Sequence, residues 1–271
     1  PKPPVRRSAA FALGKMGGQA YQAVRPLARR LEKDRDAGVR EAAAAAVGDV
    51  VVDSRGAIRG LWAEAGPALK EALENDPDPR VRRSAAYALG AFGPQAAPAL
   101  PALRRALTHS RPMVRQNAAW ALGRLGKAAA DAVDDLCKRL ADDDVLVRRD
   151  AAGALGALGR PTARDGVRPL LALFKAESDG VVRRTALDAL AHLVGPEHQD
   201  AAEPLYKLLD DEDPETARGA AFILAQMGGE PAVRALGVLR RMLDDEDPDM
   251  QAVAAASLAK VGPAASEALP D

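Results

Sequence analysis

The sequence predicts an all-α fold: an α-solenoid (superhelix) of stacked antiparallel helix pairs, in about eight repeats. Three observations predict it. The string Val-Arg-Arg-Ser-Ala-Ala-Phe-Ala-Leu-Gly at Val5–Gly14 returns as Val-Arg-Arg-Ser-Ala-Ala-Tyr-Ala-Leu-Gly at Val81–Gly90. Related strings start at Val39, Val114, Val147 and Val182, and weaker copies at Thr216 and Met250, so successive starts lie 34, 42, 33, 33, 35, 34 and 34 residues apart. A near-constant period of this size marks a repeat array. The chain is 48% hydrophobic but only 3% aromatic, and Val50–Val52 is its one notable β-branched run. Its core must therefore be built from Ala, Leu and Val, and Ala and Leu are strong helix formers.

Each repeat reads as two helices. The second carries the string. Taking its Val as position 0 and turning about 100° per residue, positions 0, 4, 8 and 11 fall in one ~80° sector. In the third repeat these are Val81, Ala85, Leu89 and Phe92, the expected buried stripe. The first helix is Leu-rich, as at Leu100, Leu103 and Leu107, or Leu205, Leu208 and Leu209. The turn between them is acidic, and Asp78, Asp213 and Asp247 each precede a Pro. Asp followed by Pro is an N-cap with proline at the first helical position. A recurring glycine (Gly17, Gly93, Gly126, Gly159, Gly195, Gly228, Gly262) closes the second helix. One such pair cannot bury its own apolar faces, whereas stacked neighbours can.

The Asp-rich turn, the Val-Arg pair, the Ala-Ala pair and the Leu-Gly-x-x-Gly ending together resemble the short bacterial HEAT-like repeats of the phycobilin-lyase type, over nearly the whole chain. The resemblance implies about eight HEAT-like repeats in a single array over residues 1–271, with second helices lining the inner, concave surface. It also implies a ladder of Asp–Arg pairs tying adjacent repeats together. Arg6, Arg40, Arg82, Arg115, Arg148 and Arg183 all occupy position 1, at ~100° beside the buried stripe, and the acidic turns offer Asp36, Asp78, Asp144 and Asp179 as partners. The array opens at a second helix and closes on what reads as the start of another first helix, so a longer array is expected. The 42-residue spacing places an insertion near residues 49–60, followed by Trp62, either a loop on one side of the array or a lengthened helix.

Positions 2 and 6 lie at ~200° and ~240°, away from the stripe and one turn apart on a shared ridge. Arg83 with Tyr87, Gln116 with Trp120, and Arg218 with Phe222 occupy this ridge, and Arg149 and Arg184 hold position 2 in their repeats. Aromatics beside arginine are the composition of interface hot spots, so these eight residues are the candidate partner-binding positions. The competing reading is that the rings cover neighbouring helices and the arginines are solvated.

Thirty-eight basic and 38 acidic side chains cancel, which argues against a general polyanion binder. The lone Cys137 cannot form an internal disulfide, and no apolar run reaches the ~20 residues that span a bilayer; a cytoplasmic location is favoured. His109, His192 and His198 form no metal-ligand motif, and no nucleophile elbow or phosphate loop is present. No catalytic residue, metal or cofactor is expected. The leading reading is a non-catalytic scaffold that binds another protein on its concave face, with a monomer favoured. The alternatives are a lyase-like or chaperone accessory of a pigment-bearing protein, which only the resemblance suggests, and a nucleic-acid binder, which the interrupting Glu41, Asp150 and Asp188 disfavour.

Overall fold

The computed structural model describes residues 1–54 and 58–262, and all regular structure among them is helical. The helices fall into two compact units, Pro1–Leu158 and Gly159–Asp271. The first unit holds α1 (Pro3–Lys15), α2 (Val24–Lys33), α3 (Ala37–Asp53), α4 (Ile58–Asn75), α5 (Pro79–Ala91), α6 (Leu100–Ala106), α7 (Pro112–Leu125), α8 (Val133–Arg139) and α9 (Val145–Leu158). The odd-numbered helices are the second helices and stack in order, while α2, α4 and α6 form the other layer. The second unit holds α10 (Val167–Ala176), α11 (Gly180–Leu193), α12 (Ala202–Tyr206), α13 (Pro214–Met227), α14 (Gly229–Leu243) and α15 (Pro248–Val261). There α10, α12 and α14 are first helices, each packed on the second helix that follows it. Each unit is thus an α-solenoid segment.

The stripe explains the stacking. Val39, Ala43 and Val47, then Val81, Ala85, Leu89 and Phe92, then Val114, Ala118, Leu122 and Leu125 are all buried, and Val182, Ala186, Leu190 and Leu193 repeat the pattern in the second unit. Between a second helix and the next first helix the chain makes short 3₁₀ segments, among them Gly17–Ala23, Gly93–Ala99 and Gly126–Ala132. Gly17, Gly93 and Gly126 enter them at φ of +54°, +56° and +58°, in the left-handed region that favours glycine. Gly195 does not. It follows α11 with an ordinary φ, and its N–H donates to His198 Nδ1 at 3.2 Å, so a side-chain acceptor turns the chain there.

The long 42-residue spacing is taken up by helix. α3 continues to Asp53 and α4 begins at Ile58, with Val50 and Val51 fully buried and the Ser54 hydroxyl donating to the Val50 carbonyl at 2.6 Å. Residues 55–57 of the expected insertion, and the closing segment from 263 on, lie outside the described residues. Trp62 packs edge-on against Phe92, with ring centroids 5.3 Å apart.

The caps are where the acidic turns put them. Asp36, Asp78, Asp179, Asp213 and Asp247 each accept a backbone N–H from the first turn of the following helix. Asp179 accepts two, from Val181 and Val182 at 2.9 and 3.0 Å. Asp179→Ala is expected to cost about 1 kcal/mol in urea unfolding, and Asp179→Ser to keep most of it; equal losses would mean that the cap contributes little.

Because these aspartates face their own helices, they are not the partners of the arginine ladder, and that expectation is corrected. The partners sit two residues earlier. Arg6 pairs with Asp34 at 2.6 Å, Arg40 with Asp76 at 2.7 Å, Arg115 with Asp142 at 2.6 Å and Arg183 with Asp211 at 3.7 Å. Each of these carboxylates also accepts the N–H of the cap residue, as Asp76 does from Asp78 at 2.9 Å, so it is fixed before the arginine arrives. Each arginine comes from the preceding repeat, which ties neighbours together. The Arg6 hydrogen bond holds the Asp34 carboxyl below its ordinary range. Two rungs depart from the pattern. Position 1 is Ala217 in the seventh repeat, and Arg218 at position 2 reaches Asp245 instead. At the fourth repeat the residue two before the cap is His109, and Arg82 of the third repeat has no carboxylate partner among the described residues. Arg148 donates to the Asp142 carbonyl at 2.9 Å.

Candidate functional site

The eight candidate residues divide between the units. In the first, Arg83 is ion-paired to Glu41 at 2.8 Å, and the Tyr87 hydroxyl donates to Asp49 at 3.0 Å. Burial, and then the Asp49 carboxylate, push the Tyr87 phenol up to about 12. Tyr87 and Trp120 stack with centroids 5.5 Å apart, and the Arg124 guanidinium lies 5.9 Å from the Trp120 ring centre. Gln116 is half-buried on α7, and Arg149 pairs with its neighbour Asp150 at 2.8 Å. The rings are seated on glycines. A Cβ on Gly48 would lie 2.6 Å from the Tyr87 ring, and one on Gly90 would run into Trp120. Tyr87 and Trp120 therefore join adjacent repeats and present only part of their surface.

The second unit is different. Here α11, α13 and α15 border a groove of about 690 Å³. Leu187 and Met242 are buried at its base, and Phe222, Met250 and Val253 are partly exposed along it. Arg184 and Arg218 stand on its rim with Glu215 between them, at 3.2 and 2.9 Å from the two guanidiniums. Asp188 and His192 complete the rim, with His192 Nδ1 2.7 Å from the Asp188 carbonyl oxygen. Three of the eight candidates, Arg184, Arg218 and Phe222, thus converge on one groove.

A difference at position 9 accounts for the contrast. In the first unit it is Gly14, Gly48, Gly90 and Gly123, and a Cβ there would sit 3.1, 3.1, 2.9 and 2.9 Å from the Cα of Ala46, Ala88, Ala121 and Ala154 on the next second helix. That approach leaves no groove. In the second unit position 9 is Ala191 and Ala225, whose methyl groups exclude it, and the second helices pack on one another less closely. The Gln226 amide spans the gap to the Ala191 carbonyl at 2.9 Å. Position 9 was legible in the sequence as a recurring Leu-Gly pair that lapses after residue 156, yet glycine within a helix gives no direct sign of what approaches it.

A family model described as HEAT repeats matches residues 66–156, 128–191 and 202–271. The chain belongs to the HEAT-repeat family. Its opening repeat, residues 5–29, also matches a model described as PBS lyase HEAT-like repeat. No curated protein matches the chain. Among solved structures, an engineered protein from a structural genomics consortium is similar at a TM-score of 0.71 and 24% identity, over 96% of this chain and 75% of that one. A second engineered protein is similar at a TM-score of 0.53 and 23% identity, over 89% of this chain and 97% of that one. A third reaches 0.52 and 25%, over 88% and 98%. These likenesses establish the solenoid fold.

HEAT repeats are a scaffold architecture that typically serves protein interaction. Among the described residues no group of His, Cys, Asp and Glu is placed to hold a metal ion, and no helix is long and apolar enough to cross a membrane. What the HEAT groove offers is apolar area, two guanidiniums and an intervening carboxylate.

Proposed function

We propose that this HEAT-repeat protein is a non-catalytic protein-binding scaffold that seats a short partner segment in the groove between α11, α13 and α15. The observation that carries the reading is the partly exposed row of Phe222, Met250 and Val253 beneath Arg184 and Arg218. Flexible methionine and an aromatic side chain adapt to apolar side chains of a partner, and the rim arginines favour a partner that brings acidic residues. The ion pairs of Arg83, Arg149, Arg184 and Arg218 with carboxylates disfavour a phosphate-tracking strip. Tyr87 and Trp120 stand outside the proposed site because their rings serve the contact between repeats.

The test is selection from a displayed peptide library, followed by affinity measurement on an Arg184→Glu/Phe222→Ala variant of unchanged helicity. Arg218 is spared because it also ties its repeat to Asp245. Peptides selected on the parent are expected to bind the variant about tenfold or more weakly, the loss of one hot-spot contact. Equal binding to both proteins would remove the groove as the site.

A further inference from the structure

The ladder contains a rung whose internal carboxylate is replaced. At the junctions preceding α3, α5, α9 and α13 an aspartate both accepts the cap residue's N–H and neutralises an arginine from the repeat before. At the junction preceding α7 the same place belongs to His109. Its Nδ1 accepts the Arg111 N–H at 3.0 Å, reproducing the backbone half of the aspartate's work. The electrostatic half is not reproduced. Arg82, the arginine that belongs to this rung, donates Nε–H to the Asp76 carbonyl at 2.6 Å and meets no carboxylate among the described residues.

Arg82 and His109 line one cavity of about 390 Å³, together with Asn75, Glu74 and Arg105. Glu74 and Arg105 neutralise each other as an ion pair. The cavity therefore carries one uncompensated positive charge, that of Arg82. With Nδ1 engaged as an acceptor, neutral His109 keeps its proton on Nε2 and is a second donor. Burial first, and then the Arg82 charge, hold His109 below its ordinary value, with the Arg115 charge acting in the same direction and the Arg111 backbone hydrogen bond against it.

We propose that Arg82 and His109 form a binding site for a single carboxylate supplied from outside the repeat, which would neutralise Arg82 as Asp34, Asp76 and Asp142 neutralise their arginines from within. A guanidinium with free terminal N–H groups matches a carboxylate in charge and geometry. One net positive charge suits a monoanion better than a phosphate dianion. The carboxylate can be that of a small free acid or of an acidic residue on a polypeptide, and the two share this chemistry. The site lies in the first unit and does not depend on the groove of the second.

The experiment follows the His109 ring resonances by NMR at neutral pH during titration with acetate, with chloride at matched ionic strength and inorganic phosphate as comparisons. Acetate is expected to shift them saturably, and Arg82→Gln to weaken the response about tenfold. His109→Asp supplies the carboxylate internally, so the variant should no longer respond to acetate in the resonances of Arg82, and its Tm should rise by about 3 °C or more. A response to chloride equal to that to acetate, tighter binding of phosphate, a response unchanged in Arg82→Gln, or a lower Tm for His109→Asp would each overturn the site. A peptide with one Asp among alanines separates the sources. Binding tighter than acetate assigns the site to a polypeptide carboxylate, and equal or weaker binding to a small free acid.

Discussion

Asp142→Ala is expected to cost the first unit about 3–5 kcal/mol, the loss typical when one member of a buried ion pair is removed. Asp142 is nearly inaccessible, with 2% of its side chain exposed, and serves three donors. Arg115 reaches it at 2.6 Å, Arg139 at 3.2 Å and the Asp144 N–H at 3.1 Å. Truncation strands a largely buried guanidinium and an N–H at the start of α9. Asp142→Asn keeps an acceptor for Asp144 but not the charge, and should recover only a minor part. Replacing Arg115 and Asp142 together by Met and Leu should recover more, because no charge is then left unpaired. Urea unfolding followed by circular dichroism reads all three. A loss below about 1 kcal/mol for Asp142→Ala would place the rung with exposed ion pairs, which contribute little.

The same carboxylate gives the protein an acid limit. Burial raises the Asp142 pKa, but hydrogen bonds from Arg115 and Asp144, with the charges of Arg115 and Arg139, outweigh it and hold the group below its ordinary value. Asp34 is lowered too, by Arg6. A depressed folded-state pKa contributes stability that is present above the unfolded value, about 4 for Asp, and is lost as pH falls through the folded value. The parent should therefore lose stability more steeply below about pH 4 than Asp142→Ala.

Gly90→Val is the second large effect, a loss of about 3 kcal/mol or more, at or above the top of the range for overpacked cores. The new Cβ would meet the Trp120 ring and stand 2.9 Å from the Ala121 Cα. A ring can turn, but a backbone atom moves only if α7 withdraws from α5. Trp120→Ala in the Gly90→Val background should restore part of the loss and not all of it, giving a coupling energy between the two sites. Gly237→Ala is the control. A Cβ there meets nothing within 4 Å, so the change should stabilise α14 by about 0.5–1 kcal/mol through helix propensity. Thermal and urea unfolding of the parent, Gly90→Val, Trp120→Ala, their double variant and Gly237→Ala would decide the matter, and a neutral Gly90→Val would mean that the second helices can slide apart freely.

Much of this architecture was legible because a period repeats its evidence. The stripe of Val81, Ala85, Leu89 and Phe92, the caps at Asp78, Asp213 and Asp247, and the left-handed glycines at 17, 93 and 126 follow from helical geometry and local hydrogen bonding. The ladder was legible as arginines near acids, yet the choice between Asp76 and Asp78 depends on which carboxylate faces the next repeat, and spacing within one turn does not carry that. The candidate site was less legible. Position 6 identified Tyr87, Trp120 and Phe222 equally, but whether a ring is wedged into a neighbour or left beside a groove depends on residues a whole repeat away, at Gly48, Gly90 and Ala191.

That dependence has a bearing on how such a chain can be rearranged. Tyr87 needs the glycine of the repeat before it, and Trp120 needs Gly90; the arginine of one repeat likewise answers to the aspartate of the next. The matched parts straddle the boundary between helix pairs, so the transplantable cassette is not the hairpin. For the rings it is a segment cut through the middle of one second helix and ending at the middle of the following one. Recombination at the boundaries between helix pairs would separate a ring from its seat and a guanidinium from its counter-ion, whereas cuts between positions 6 and 9 keep each ring with its seat and part only the arginine from its aspartate.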